Sequence, residues 1–305
     1  DKFRMNIDFS IHAKFILKPS FIESKQNMDV PAIVLAFIFG LLIGSFLNVV
    51  IYRLPVMLHQ ESRQAAQEYL GLPVETLPTF NLVTPPSRCG HCGARVKPWQ
   101  NIPIISWLLL RGRCAGCHTK ISIRYPLVEL LTGILFALVA WRYGWTWYTV
   151  GACLFTAYVA AMTFIDADTQ LLPDELTVPL IRWGLLFNLL TGFVSLQQAV
   201  WGALVGYMSL WMMSKTYKLL RGVDGMGGGD FQMLSALGAW LGVSTIPIIV
   251  FSAAIVGIIA ALIKRVAKQQ PMAFGPCLAV AGWVVFLFHD SVMQGMAWYL
   301  AKSGF

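Results

Sequence analysis

Apolar residues in this chain fall into long runs separated by short polar stretches, not into the alternating or one-faced patterns of soluble strands and helices. Eight runs stand out, at about 30–51, 127–141, 147–165, 176–191, 197–214, 231–243, 246–263 and 273–289. A helix needs roughly 20 mostly apolar residues to cross a hydrocarbon core of about 30 Å. At these lengths only helices satisfy their own backbone in lipid. The pattern therefore predicts an all-α polytopic membrane protein with about eight transmembrane helices.

Two of the runs come from one stretch. Phe231 to Ile263 carries no charge and as a single helix would be about 50 Å long, so a break is expected at Gly242 and Pro247. Asp230, directly behind Gly227-Gly228-Gly229, then stands at the N-terminus of the first half. Free backbone N–H groups favour a carboxylate there.

The polar stretches set the orientation. Lys and Arg gather in 52–126, 215–230 and 264–272, fifteen in all, against Arg142 and Lys302 on the opposite side. The positive-inside rule puts the richer side in the cytoplasm, and Asp166 and Asp230 with it. The five basic residues of the tail 1–27 run against this rule, and the tail is given no role. Met5 and Met28 are both possible starts, and no cleavable signal segment is expected because the first apolar run is of spanning length.

Composition agrees with the membrane class, at 57% hydrophobic and 12% charged residues. The net charge of +8 follows topology and does not gather on one face. The expected partner is therefore an anionic lipid bilayer and not nucleic acid.

Residues 52–126 form the one sizeable polar insertion. It is too small to fold on its own core and needs a staple. Cys89-x-x-Cys92 and Cys114-x-x-Cys117 have the paired-knuckle spacing that places four thiolates around a structural Zn2+. Disulfides are the alternative, but thiols stay reduced on the cytoplasmic side. His91 and His118 are read as exposed loop residues, and Cys153 and Cys277 as core residues of the spans. Trp141, Tyr143, Trp145, Trp147 and Tyr148 read as an aromatic belt at the far interface. The expected organisation is a tail (1–27), a first helix (28–51), a cytoplasmic tetracysteine zinc module (52–126) and a seven-helix membrane domain (127–305).

The segment from Asp166 to Glu175 holds Asp166, Asp168, Asp174 and Glu175 and no base. Asp166 lies nearest the apolar run, and Asp174 follows Pro173 where a helix is expected to begin. If Asp166 and Asp230 approach closely, they cannot both ionise freely. One can then act as general base on water while the other, protonated, polarises a carbonyl. From the residues alone three other roles stay open: separate helix caps, an ion or proton relay, and a zinc-stabilised scaffold without catalysis.

Several motifs in order carry a family resemblance. They are Gly44-Ser45-Phe46-Leu47-Asn48-Val49-Val50-Ile51-Tyr52-Arg53-Leu54-Pro55, the paired knuckles, Arg124-Tyr125-Pro126-Leu127-Val128-Glu129, the Asp166 segment and Gly227-x-Gly229-Asp230. With them the chain resembles the type IV prepilin peptidases over nearly all of residues 30–290. The resemblance implies a bifunctional, multi-pass enzyme of the bacterial inner membrane with its active site facing the cytoplasm. It implies cleavage of prepilin and pseudopilin leaders after a glycine, with Asp166 and Asp230 as the catalytic aspartates of a GxGD-type aspartic endopeptidase. It also implies N-methylation of the new N-terminal residue from S-adenosyl-L-methionine, tied to the N-terminal half. The acidic loop is expected to attract the basic leader. The methyl-donor site is not read from the sequence beyond a placement near the knuckles and Arg124–Glu129. Glu129 is expected to pair with Arg53 or Arg124. Gln232 departs from the family, which often carries Lys after Gly-Asp-Phe.

Overall fold

A computed structural model describes residues 29–73, 78–223, 225–264 and 273–303. The tail 1–27 lies outside the described residues. Among these, the regular structure is helical, with no strand. The elements are α1 (Val30–Tyr69), a 3-10 turn (Pro98–Asn101), α2 (Ile105–Leu109), α3 (Arg124–Tyr143), α4 (Trp147–Thr169), α5 (Asp174–Thr191), α6 (Leu196–Arg221), α7 (Gly228–Leu241), a second 3-10 turn (Val243–Thr245), α8 (Ile246–Lys264), α9 (Gly275–Leu287) and α10 (His289–Ser303).

Each of the eight apolar runs coincides with a helix, α1 or one of α3 to α9. Length and composition alone support fewer crossings. Four helices are long and apolar enough, namely α1, α3, α4 and the stretch Val243–Ile263, and α9 with α10, bent by 87°, makes a fifth if counted as one span. α7 has only 14 residues, and α5 opens on Asp174 and Glu175 and carries Arg182. The break between α7 and α8 falls where expected. Gly242 ends α7 at a φ of 83° that favours glycine, and α8 begins at Ile246.

α1 does not stop where its apolar residues do. Asp29 caps its start by accepting from the Ala32 amide, Pro31 occupies the first turn, and the helix runs on through Pro55 to Tyr69. It packs along α3 at small residues. A Cβ on Gly40 would stand 2.8 Å from Gly133 Cα, and one on Gly44 2.7 Å from Glu129 Cα. Such close backbone approach is how membrane helices gain contact without a hydrophobic drive. α6 and α7 cross in the same way, and a Cβ on Gly206 would stand 2.6 Å from the Leu234 carbonyl oxygen.

The main core lies among α4, α5, α7 and α9. Trp240 is fully buried, with ring centroids 4.9 Å from Phe187 and 5.0 Å from Phe155, and Phe155 stacks on Phe286 at 4.7 Å. Its indole donates to the Leu180 carbonyl at 2.9 Å. Asn188 donates to the Ala239 carbonyl and accepts from the Val194 amide. The polar atoms of Trp240 and Asn188 thus find partners, as an apolar surrounding demands.

The aromatic cluster at the α3–α4 turn divides. Trp141, Trp145 and Trp147 are exposed, as a belt requires. Tyr143 and Tyr148 instead turn inward, donating to the Phe286 and Thr191 carbonyls at 2.9 Å. A tyrosine beside a tight turn can reach either environment, and here the free carbonyls at helix ends capture both hydroxyls.

Candidate active site and metal centre

Asp166 lies in the last turn of α4, which ends at Gln170 in a left-handed conformation. The chain then crosses Leu171–Pro173 and starts α5. Asp230 lies in the first turn of α7, behind Gly227 as its N-cap. Asp166 is buried and Asp230 half-buried, and the helix ends that carry them are brought together at Leu172 in the α4–α5 loop.

Two glycines make room for this approach. A Cβ on Gly229 would stand 2.5 Å from Leu172 Cβ, so the first turn of α7 lies directly on the α4–α5 loop. A Cβ on Gly275, at the start of α9, would overlap Asp166 Oδ2 and come within 3.0 Å of Leu172 Cδ1. Asp166 Oδ2 itself is buried without a hydrogen-bond partner. Gly275 was invisible as a site residue in the sequence, where Gly-Pro reads only as a helix start.

The other acids separate. Asp168 pairs with Arg124 at 2.5 Å, and the Arg124 guanidinium lies over the Phe164 ring. Asp174 and Glu175 are exposed in the first turn of α5. Gln232, the departure from the family pattern, accepts from the Thr177 hydroxyl at 2.5 Å and so ties α7 to α5.

The four knuckle cysteines converge. Their sulfurs lie within 4.8 Å of one another and could hold a metal ion. Across the two knuckles Cys89 lies 3.8 Å from Cys117, and Cys92 lies 4.0 Å from Cys114. Tetrahedral ligands at about 2.3 Å from zinc stand about 3.8 Å apart, so the donor set fits such an ion. Both knuckles fold alike. The Cys89 amide donates to the Ala94 carbonyl and the Cys114 amide to the Thr119 carbonyl, each at 2.9 Å. Gly93 and His118 take the left-handed turn after the second cysteine. His91 and His118 are exposed, Cys277 is buried and Cys153 half-buried.

Glu129 does not pair with either expected arginine. Its Oε2 accepts from the Ile104 amide at 2.8 Å. Arg53 instead grips the Asn81 and Pro85 carbonyls at 2.8 and 2.6 Å and stacks on Phe80. Ser45 reaches the Asn101 carbonyl, and Asn48 the Tyr125 carbonyl. These contacts fasten the cysteine module to α1 and α3. Irregular loops leave backbone groups free, and they outcompete a second charge for the nearest polar side chains.

A helical frame rich in apolar spans, with one carboxyl at the end of α4 and another at the start of α7, and a four-thiol module fastened to α1 and α3, defines the class of protein. Comparison with known proteins gives the family. Residues 38–143 match the Bacterial Peptidase A24 N-terminal domain and residues 153–262 the Type IV leader peptidase family, and the chain belongs to that family. It is 56% identical over 271 residues to a Prepilin leader peptidase/N-methyltransferase of Neisseria gonorrhoeae, covering 88% of this chain and 95% of the relative. Proteins of the same name from Aeromonas hydrophila and Stutzerimonas stutzeri are 49% and 46% identical. Those matches cover 88% and 89% of this chain and 93% and 96% of the relatives. No solved structure matches.

Proposed function

We propose that this chain is a bifunctional membrane enzyme that removes the leader of type IV prepilins and pseudopilins and N-methylates the residue exposed by the cut. What carries both activities is similarity along nearly the whole chain to relatives bearing both in their name. What supports the chemistry of the first is that Gly229, next to Asp230, packs on Leu172 in the loop that leaves the helix of Asp166.

In this reading one aspartate takes a proton from water while the other, protonated, hydrogen-bonds the carbonyl oxygen of the leader's last glycine. The tetrahedral adduct collapses as a proton passes to the departing amine, and both carboxyls return to their starting state. No covalent intermediate forms. The four thiols hold a structural Zn2+, and S-adenosyl-L-methionine supplies the methyl group when bound.

All eight apolar helices, α1 and α3 to α9, cross the bacterial inner membrane. α7 is short, but its side chains are nearly all buried by its neighbours, so it needs no lipid-length exterior. The basic loops put both aspartates at the cytoplasmic face, where a basic leader remains while its apolar segment enters the bilayer. Exposed Asp174 and Glu175 then stand beside the cut as attractors for the leader.

The test is prepilin cleavage by the wild type, Asp166→Asn and Asp230→Asn, with the mass of each product. Both variants are expected to cut at least about 100-fold more slowly while still methylating a pilin cut beforehand. Normal cutting by either one sinks the aspartic mechanism. In the same assay Asp174→Asn with Glu175→Gln is expected to slow a lysine-rich leader more than a neutralised one, and equal slowing removes the attraction.

A further inference from the structure

The polar insertion contains one element that does not look polar. α2 places Ile105, Leu108 and Leu109 at the spacing that shares a helix face, and they are 56%, 60% and 72% exposed, with Ile102 beside them at 45%. Its inward residues are otherwise engaged. Ser106 is buried, and the Trp107 ring covers Gly112 and donates to the Ile121 carbonyl. A contiguous apolar face on a module with so small a core marks a contact surface.

The hydrogen bonds of this segment say what it touches. Ile104, the residue before α2, donates its amide to Glu129, and Asn101 accepts from Ser45. Both partners lie inside membrane helices. Ser45 comes eight residues before Arg53 in α1, and Glu129 five residues after Arg124 in α3, so they stand about 12 Å and about 7 Å to the membrane side of those arginines. Residues 101–105 are therefore held below the level of the first charges on the cytoplasmic side. Exposed Arg111 and Arg113 follow directly after α2, where they can return to anionic headgroups.

We propose that α2 is an interfacial element whose Ile105, Leu108 and Leu109 face enters the cytoplasmic leaflet, so the cysteine module lies on the bilayer and not free in the cytoplasm. The inference rests on the reading that α1 and α3 cross the membrane. It goes beyond both proposed activities, and it brings the knuckles down to the plane in which a freshly cut pilin N-terminus would emerge.

Spin-label accessibility of the full-length protein in vesicles of mixed neutral and anionic lipid tests it. The label goes on Leu109→Cys in a Cys153→Ala, Cys277→Ala background, with that background alone as blank. Val34→Cys, on an exposed apolar position of α1, serves as the lipid standard. Glu68→Cys, exposed near the end of α1, serves as the water standard. The label at 109 is expected to respond to oxygen as at 34, to resist a water-soluble nickel chelate, and to sit about 5–10 Å below the headgroup boundary. Nickel broadening like that at 68 overturns the proposal in favour of a water-facing module. Protection from both agents overturns it in favour of a protein partner or second copy. If the label at 34 is itself nickel-accessible, the spanning reading of α1 fails, and the proposal with it.

Discussion

Trp240 in the membrane bundle is sealed on several sides by Phe155, Phe187 and Phe286, whereas between Phe80 and Ile123 the buried residues are only Pro103, Ser106 and Gly112. The bundle excludes its surroundings by side-chain packing. The module has almost no apolar interior and depends on four sulfurs, paired knuckle turns and a few hydrogen bonds to α1 and α3. Packing is spread over many contacts and degrades by degrees, while a four-ligand centre is lost as a unit.

The largest effect expected from this contrast is loss of the four-sulfur centre and of the metal proposed for it. Chelation, or Cys92→Ser with Cys117→Ser, is expected to abolish amide-exchange protection across residues 88–121 while leaving α4, α5, α7 and α9 protected. Parallel loss in both regions would mean that the module is not independently held. Next comes the bundle itself. Trp240→Ala is expected to cost about 3–5 kcal/mol by cavity formation, read as a lower unfolding midpoint in detergent with knuckle protection kept. A cost near zero would show the aromatic cluster to be loosely packed. The smallest effect falls on the joint between the regions. Glu129→Ala leaves the Ile104 amide without its acceptor and is expected to cost about 1–3 kcal/mol. It should appear as faster exchange at residues 101–106 and at no core helix, and an unchanged rate there would remove Glu129 as the fastener.

The two regions were also unequally legible in the sequence. Helix positions in the bundle could be read because burial in lipid writes itself as uninterrupted apolar runs, and the Gly242 break and the Asp230 helix start were read from glycine chemistry. The cysteine spacing foretold the four-sulfur cluster because two tight turns suffice to build it. The number of crossings was less legible, since a helix such as α7, buried by its neighbours on nearly every side, can be apolar without having the length of a lone span. The end of α1 was missed because hydropathy stops at the water boundary while a hydrogen-bonded helix continues past it. Glu129 and Gly275 were misread or unseen for a further reason. Their partners, Ile104 and Asp166, are 25 and 109 positions away in the chain, and no local pattern encodes which backbone group a folded loop will present.

The unbroken run of α1 gives the molecule a lever. Its 40 residues make a rod of about 60 Å, about half of it beyond a hydrocarbon core of about 30 Å. Glycine contacts with α3 act as the fulcrum, and Arg53 grips the module's first loop just outside it. Arg53 stands on the same helix two residues before Pro55, so one element carries both the packing on α3 and the grip on the carbonyls of Asn81 and Pro85. The place where the module's first loop leaves the bundle is thereby set by how far α1 is seated against α3.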